Sequence, residues 1–140
     1  METVLIVDVA NWMGSRPDGW WRDRNAAATR LLEPLGQSTG AAVTGPDGGL
    51  LRLGRIIAVL EGAARGAVAP GGVELVEAER DGDSAIVSVA AELLSASSVS
   101  GGTGPGPAIL VVTADRGLRR RLPDQVRTVG PGWLNLLIGR

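Results

Sequence analysis

The chain has 140 residues, 44% of them hydrophobic, and a formal net charge of −1. That length suits one domain with a substantial buried core, and the near-neutral charge excludes a general electrostatic attraction to nucleic acid. Cysteine and histidine are both absent, which excludes disulfides, zinc–thiolate sites, thiol nucleophiles and imidazole bases. Chemistry must then come from carboxylates, hydroxyls, arginines, the backbone or a hard metal ion. All fourteen basic residues are arginine and all four aromatic residues are tryptophan; with so much Ala, Gly and Val, this reads as GC-rich coding bias rather than as a binding code. No stretch approaches the ~20 apolar residues of a membrane span, and Met1 leads into a strand-like run with no basic leader. The expectation is a cytoplasmic protein with no membrane association.

Residues 4–8 form an unbroken apolar run closed by Asp8, the pattern of a central strand buried on both faces. Residues 9–19 follow as a loop, broken by Gly14, Pro17 and Gly19. Residues 20–35 read as a helix, with Ala27, Leu31, Leu32 and Leu35 at helical spacing and Gly36 as the stop. Residues 37–49, rich in Gly, Ser and Thr, are an expected exposed loop. Residues 51–67 read as a second helix on the spacing of Ile56, Ile57, Leu60, Ala63, Ala64 and Ala67, with Glu61 on its polar flank. Pro70, Gly71 and Gly72 turn the chain into a strand over 73–79, which alternates with one wetter face. Asp81, Gly82 and Asp83 lead into a helix over 84–96, lined by Ile86, Val87, Ala90, Leu93 and Leu94. Residues 95–107, largely Ser, Gly, Pro and Ala, are an expected flexible connector. An apolar strand over 108–113, an arginine-rich helix over 116–122, a strand over 125–129 and a docked helical turn over 133–138 complete the chain.

Strands alternating with helices imply an α/β fold and a single domain over 1–140. The expected form is a Rossmann-like three-layer sandwich, its mostly parallel four-stranded sheet ordered 2-1-3-4 and flanked by helices. In such a sheet, ligands gather at the carboxyl ends of the strands where the order reverses. Asp8 ends the first strand, Asp115 follows the third, and Asp83 opens the helix after the second. Three carboxylates meeting there would repel unless a cation neutralised them, and an oxygen-only donor set points to Mg²⁺ or Mn²⁺.

Each acid also has a purely local reading. Asp83 and Asp115 fit helix N-caps, Asp8 with Asn11 fits a polar turn, and Asp81 fits an exposed turn. Capping alone does not call for three acids on one edge. Around the first loop, Arg16, Arg22 and Arg24 suit phosphates and Trp20 suits a stacked base, although one of Trp20 and Trp21 is expected to anchor the core. Arg116, Arg119 and Arg120 form either a basic rim or, with Arg121, a solvated face.

The run from Val4 to Asp8 with Asn11, then Gly82, Asp83 and Ser84 opening a helix, then Val112, Thr113, Asp115, Arg116 and Leu118, resembles the PIN/NYN-like nuclease superfamily. The blocks from Gly19 to Arg24 and from Val129 to Trp133 resemble its small stand-alone bacterial members. The resemblance implies Asp8, Asp83 and Asp115 as metal-binding catalytic residues, supported by Asn11, Thr113 and Asp81. Arg16, Arg22, Arg24, Trp20, Arg116 and Arg119 become the candidate substrate contacts. The implied activity is hydrolysis of RNA, endonucleolytic and dependent on Mg²⁺ or Mn²⁺; the implied alternative is a PIN-like module that binds nucleic acid without cutting it. Single-stranded or structured RNA is the expected partner, and a homodimer is left open. One position departs: Gly117 stands two residues after Asp115, where many members carry a further acid. A phosphorelay receiver would need a lysine, and none exists. A haloacid-dehalogenase-type phosphatase would need an acid where Ala10 stands, and a dinucleotide-binding domain would need a glycine fingerprint after the first strand.

Overall fold

The computed structural model describes residues 2–99 and 106–140. Its most buried strand is β1 (Glu2–Asp8), closed to solvent from Thr3 to Asp8 because it has a parallel neighbour on each side. Those neighbours are β3 (Leu50–Leu60) and β5 (Ala108–Val112), and beyond β5 lies β6 (Val126–Val129), also parallel. The far side of β3 is shared. Its first residues pair antiparallel with β2 (Ala42–Thr44), and its last five pair parallel with β4 (Val73–Glu77).

The sheet is therefore mixed and six-stranded, larger than the expected mostly parallel four-stranded one, with its antiparallel pairing confined to β2. The expected order 2-1-3-4 corresponds to β4, β1, β5 and β6, and β3 is interposed between the first two. The predicted helix over 51–67 is this missing strand. Leu51 and Leu53 are buried while Arg52 is exposed, which is strand alternation. The register then slips: Thr3 pairs with Leu53 but Val4 with Arg55, so Gly54 is a bulge that interrupts the alternation. Residues 56–60 are buried throughout. A strand buried on both faces carries the same apolar run as a buried helix, and β-branched Ile56, Ile57 and Val59 favour the extended form. The predicted exposed loop over 37–49 likewise contains β2.

Alternation along the strands divides the core. Leu5 and Val7 of β1, Ile56, Ala58 and Leu60 of β3, and Leu110 and Val112 of β5 face one layer. That layer holds α1 (Val9–Met13), α2 (Arg24–Gly36) and α5 (Pro131–Ile138). Ile6, Val59, Ile109 and Val111 face the other, where α3 (Gly82–Val99) and α4 (Arg116–Arg121) lie. Helix α3 takes up residues 95–99 of the predicted connector; residues 100–105 of it lie outside the described residues. Among the described residues no helix is long and apolar enough to cross a membrane.

Helix α1 replaces the start of the predicted loop over 9–19. Its residue Trp12 is fully buried, and its indole Nε1 donates to Asn135 Oδ1 of α5 at 2.8 Å. Arg140 closes the same junction, donating from Nη1 to the Trp12 carbonyl and to Asn135 Oδ1, and from Nη2 to Asp18. The segment after β1 is thus bound to the last helix. Asn135→Ala leaves the Trp12 donor buried without an acceptor, and urea unfolding should show a loss of about 1–3 kcal/mol.

Candidate active site at the acidic edge

The period of two that divides the core also places the polar residues. Asp8 lies two positions after Ile6, Thr113 two after Val111 and Glu61 two after Val59, so all three leave their strands on the α3–α4 side. They do so at the carboxyl ends of three adjacent strands, with Asp8 directly paired to Val59. The sheet itself gathers the acids.

Asp8 is almost fully buried and serves as the N-cap of α1, with Oδ1 accepting from the Asn11 amide at 3.2 Å. Its Oδ2 accepts from Thr113 Oγ1 at 3.0 Å. Thr113 Oγ1 in turn accepts from the Asp115 amide, and Asn11 Oδ1 accepts from the Ala114 amide at 2.8 Å. Asn11 and Thr113 therefore tie the ends of β1 and β5 together. Asp115 caps α4, with Oδ1 accepting from the Leu118 amide. The local cap reading holds for Asp115, and it leaves Oδ2 open.

At the start of α3 the expected roles change places. Asp81 is the cap, accepting from the Ser84 amide and hydroxyl, and Glu61 accepts from the Gly82 amide. Two acids thus serve the exposed amides of the first turn, where a negative charge is favoured. Asp83 is left with no hydrogen-bond partner among the described residues. Its cap reading fails, and its carboxylate is free.

The electrostatics follow from this crowding. Burial raises the Asp8 carboxyl from 3.8 to about 6; the bonds from Asn11 and Thr113 oppose that rise, and Asp83 and Glu61 reinforce it. Asp83 is also raised, first by burial and then by Asp115, Glu61 and Asp81, with Arg121 pulling the other way. Glu61 is the acid that sequence reasoning missed, because a helix over 51–67 put it on a polar flank. The signal was its place just past an apolar run with β-branched residues. Among the described residues, no three acids form a group that could hold a metal ion as they stand.

The arginines divide. Arg119 donates from Nε and Nη2 to the Thr113 carbonyl, so it braces the β5–α4 turn. Arg121, expected on a solvated face, donates to Ser84 Oγ and lies nearest in effect to Asp83. Arg24 stands over the Trp20 ring at 5.4 Å. Arg16 reaches the Arg140 carbonyl, and Arg22 and Arg116 are exposed. Of the tryptophan pair, Trp20 packs on the core and Trp21 is exposed, meeting edge to face at 5.7 Å.

No protein-family model matches the chain, and no curated protein matches it. A solved structure does: Rae1 (YacP) from Bacillus subtilis, crystallised as a point mutant, superposes with a TM-score of 0.62. The match covers 99% of this chain and 76% of that one at 18% identity. The two share a fold.

Because the folded chain favours protonated Asp8, the contribution of that group to stability is complete below its unfolded value near 3.8 and is lost as pH rises through about 6. Ionisation in place costs about 3 kcal/mol. Without divalent cations, Asp8→Asn should therefore be the more stable protein by roughly 2–3 kcal/mol at about pH 7.5. Chemical unfolding across pH should show that advantage shrinking towards zero below about pH 4.

Proposed function

We propose that the chain is a metal-dependent ribonuclease that hydrolyses internal phosphodiester bonds of RNA, with Asp8, Asp83 and Asp115 as ligands for Mg²⁺ or Mn²⁺. The observation that carries this reading is the free carboxylate of Asp83, left unpartnered while burial and three neighbouring acids oppose its charge. A partly buried carboxylate among other acids, offset only in part by Arg121, gains from the arrival of a cation. The donor chemistry suits a hard divalent ion, since carboxylate oxygens are its usual ligands, and the acids would have to draw together to hold it, because among the described residues no three of them form a group that could do so as they stand. Such an ion, when bound, would offset charge on the phosphodiester and make a water more acidic.

The chain's own residues account for the rest. Thr113 holds Asp8 in one orientation, and Asn11 holds the turn that carries Asp115. Glu61 and Asp81 secure the first turn of α3 and so fix where Asp83 begins. An added Cβ at Gly117 would come within 3.2 Å of Asp115 Oδ1, a tight contact that asks this carboxylate to shift by a few tenths of an ångström. The choice of RNA as substrate rests on the motif resemblance, and the fold shared with Rae1 is consistent with it. The lack of a ready-formed metal cage favours a second reading, a module that binds RNA without cutting it.

Labelled, mixed-sequence single-stranded RNA should be cut in Mn²⁺ and spared in EDTA. Asp83→Asn and Asp115→Asn should each slow cutting by on the order of a hundredfold or more, since several kcal/mol of charge stabilisation would go with the metal. Cutting that ignores EDTA or survives Asp83→Asn contradicts the proposal. Binding without cutting in Mn²⁺ selects the second reading.

A further inference from the structure

Next to the acidic edge lies a cavity of about 320 Å³ between α1, the 3-10 turn Trp20–Arg22 and the 3-10 turn Gly62–Ala64. Its walls include Met13 and Ala64, both buried, and Trp20, half-buried. Two guanidinium groups, Arg24 and Arg80, and two carboxylates, Glu61 and Asp81, also line it.

Trp20 is not finished as a core residue. Trp12 shows what that looks like here: full burial and a bonded indole N–H. Trp20 keeps part of its ring in solvent, and among the described residues its Nε1 makes no hydrogen bond. Packing against Trp21, at 85° between the planes, fixes the plane of the ring. A recess with an indole wall and both apolar and charged lining suits a flat π-system with polar edges, and its volume admits one nucleotide but not a duplex.

Two further observations say which flat ligand. Arg24 and Arg80 line the recess, and Arg24, over the Trp20 ring at 5.4 Å, is the group that a stacking base would displace towards an adjoining phosphate. Glu61 belongs both to this cavity and to the acidic edge, where its charge acts on Asp8 and Asp83. Asp81 likewise lines the cavity and acts on Asp83, so two side chains join the recess to the edge.

We infer that this cavity is a stacking subsite for one unpaired nucleobase of an RNA strand, with Trp20 as its platform and Arg24 and Arg80 on the adjoining phosphates. The inference rests on the RNA reading above and adds a reason for single-strand preference: a base held in a duplex cannot enter.

The test is fluorescence anisotropy with a fluorescein-labelled ten-nucleotide single-stranded RNA, in EDTA so that nothing is cut. Trp20→Ala should weaken binding about tenfold or more, the scale of one base–aromatic stack, and Trp20→Phe should restore most of it. The same RNA annealed to its complement should bind wild type at least about tenfold more weakly, and that gap should collapse in Trp20→Ala, which a merely structural role would not produce. Arg80→Ala should weaken binding and lower the salt slope by roughly 0.7, as for one lost phosphate contact to a single strand. It also serves if Trp20→Ala fails to fold. If wild type binds RNA while the folded variants bind equally well, or duplex binds as tightly as single strand, the subsite is overturned and the ribonuclease reading stands. If wild type binds no RNA in EDTA, the subsite falls, and cutting in Mn²⁺ decides the ribonuclease reading separately.

Discussion

The structure turns on one buried carboxylate. Asp8 ends the central strand, and it can be buried there only because the Asn11 amide and the Thr113 hydroxyl bond its two oxygens. Those bonds belong to the segments that follow β1 and β5, so the group that is hardest to bury also ties the two central strands together at their carboxyl ends. Its pKa near 6 measures what the bonds leave uncompensated. The neighbouring acids enlarge that deficit rather than relieving it. A fold organised only for stability would place an apolar or neutral residue there.

Much of this was legible in the chain. The apolar runs ending at Asp8 and Thr113 announced two central strands, and strand alternation carries both residues to the α3–α4 side. What could not be read was the segment over 50–60. Once Gly54 breaks the alternation, Ile56, Ile57 and Leu60 match helical spacing as well as strand burial. That single misreading displaced a strand, altered the sheet order and hid Glu61. The caps at α3 were hard to read for a different reason: Asp81 and Asp83 are chemically alike and two residues apart, and only the folded turn decides that Asp81 meets the Ser84 amide while Asp83 does not. The arginines were similarly ambiguous, since Arg119 and Arg121, two residues apart, take unlike roles, one bracing a turn and the other facing α3.

The end of the chain supports the site from a distance. Asn135 and Arg140 hold Trp12 and the last turn of α1, and α1 starts at the residue after Asp8. Long-range bonds therefore set the angle at which the chain leaves β1, and with it the position of Met13 in the adjoining cavity. A loop over 9–19, as the sequence suggested, would have left that geometry loose.

The most direct measurement is calorimetric titration of Mn²⁺ into the metal-free protein, repeated across pH and with Asp83→Asn. The account predicts saturable binding at about pH 7.5 that weakens as pH falls through about 6, where protons compete for Asp8. It also predicts that Asp83→Asn abolishes that binding. No binding at millimolar Mn²⁺, or equal binding by Asp83→Asn, would contradict the claim that these acids form a metal site.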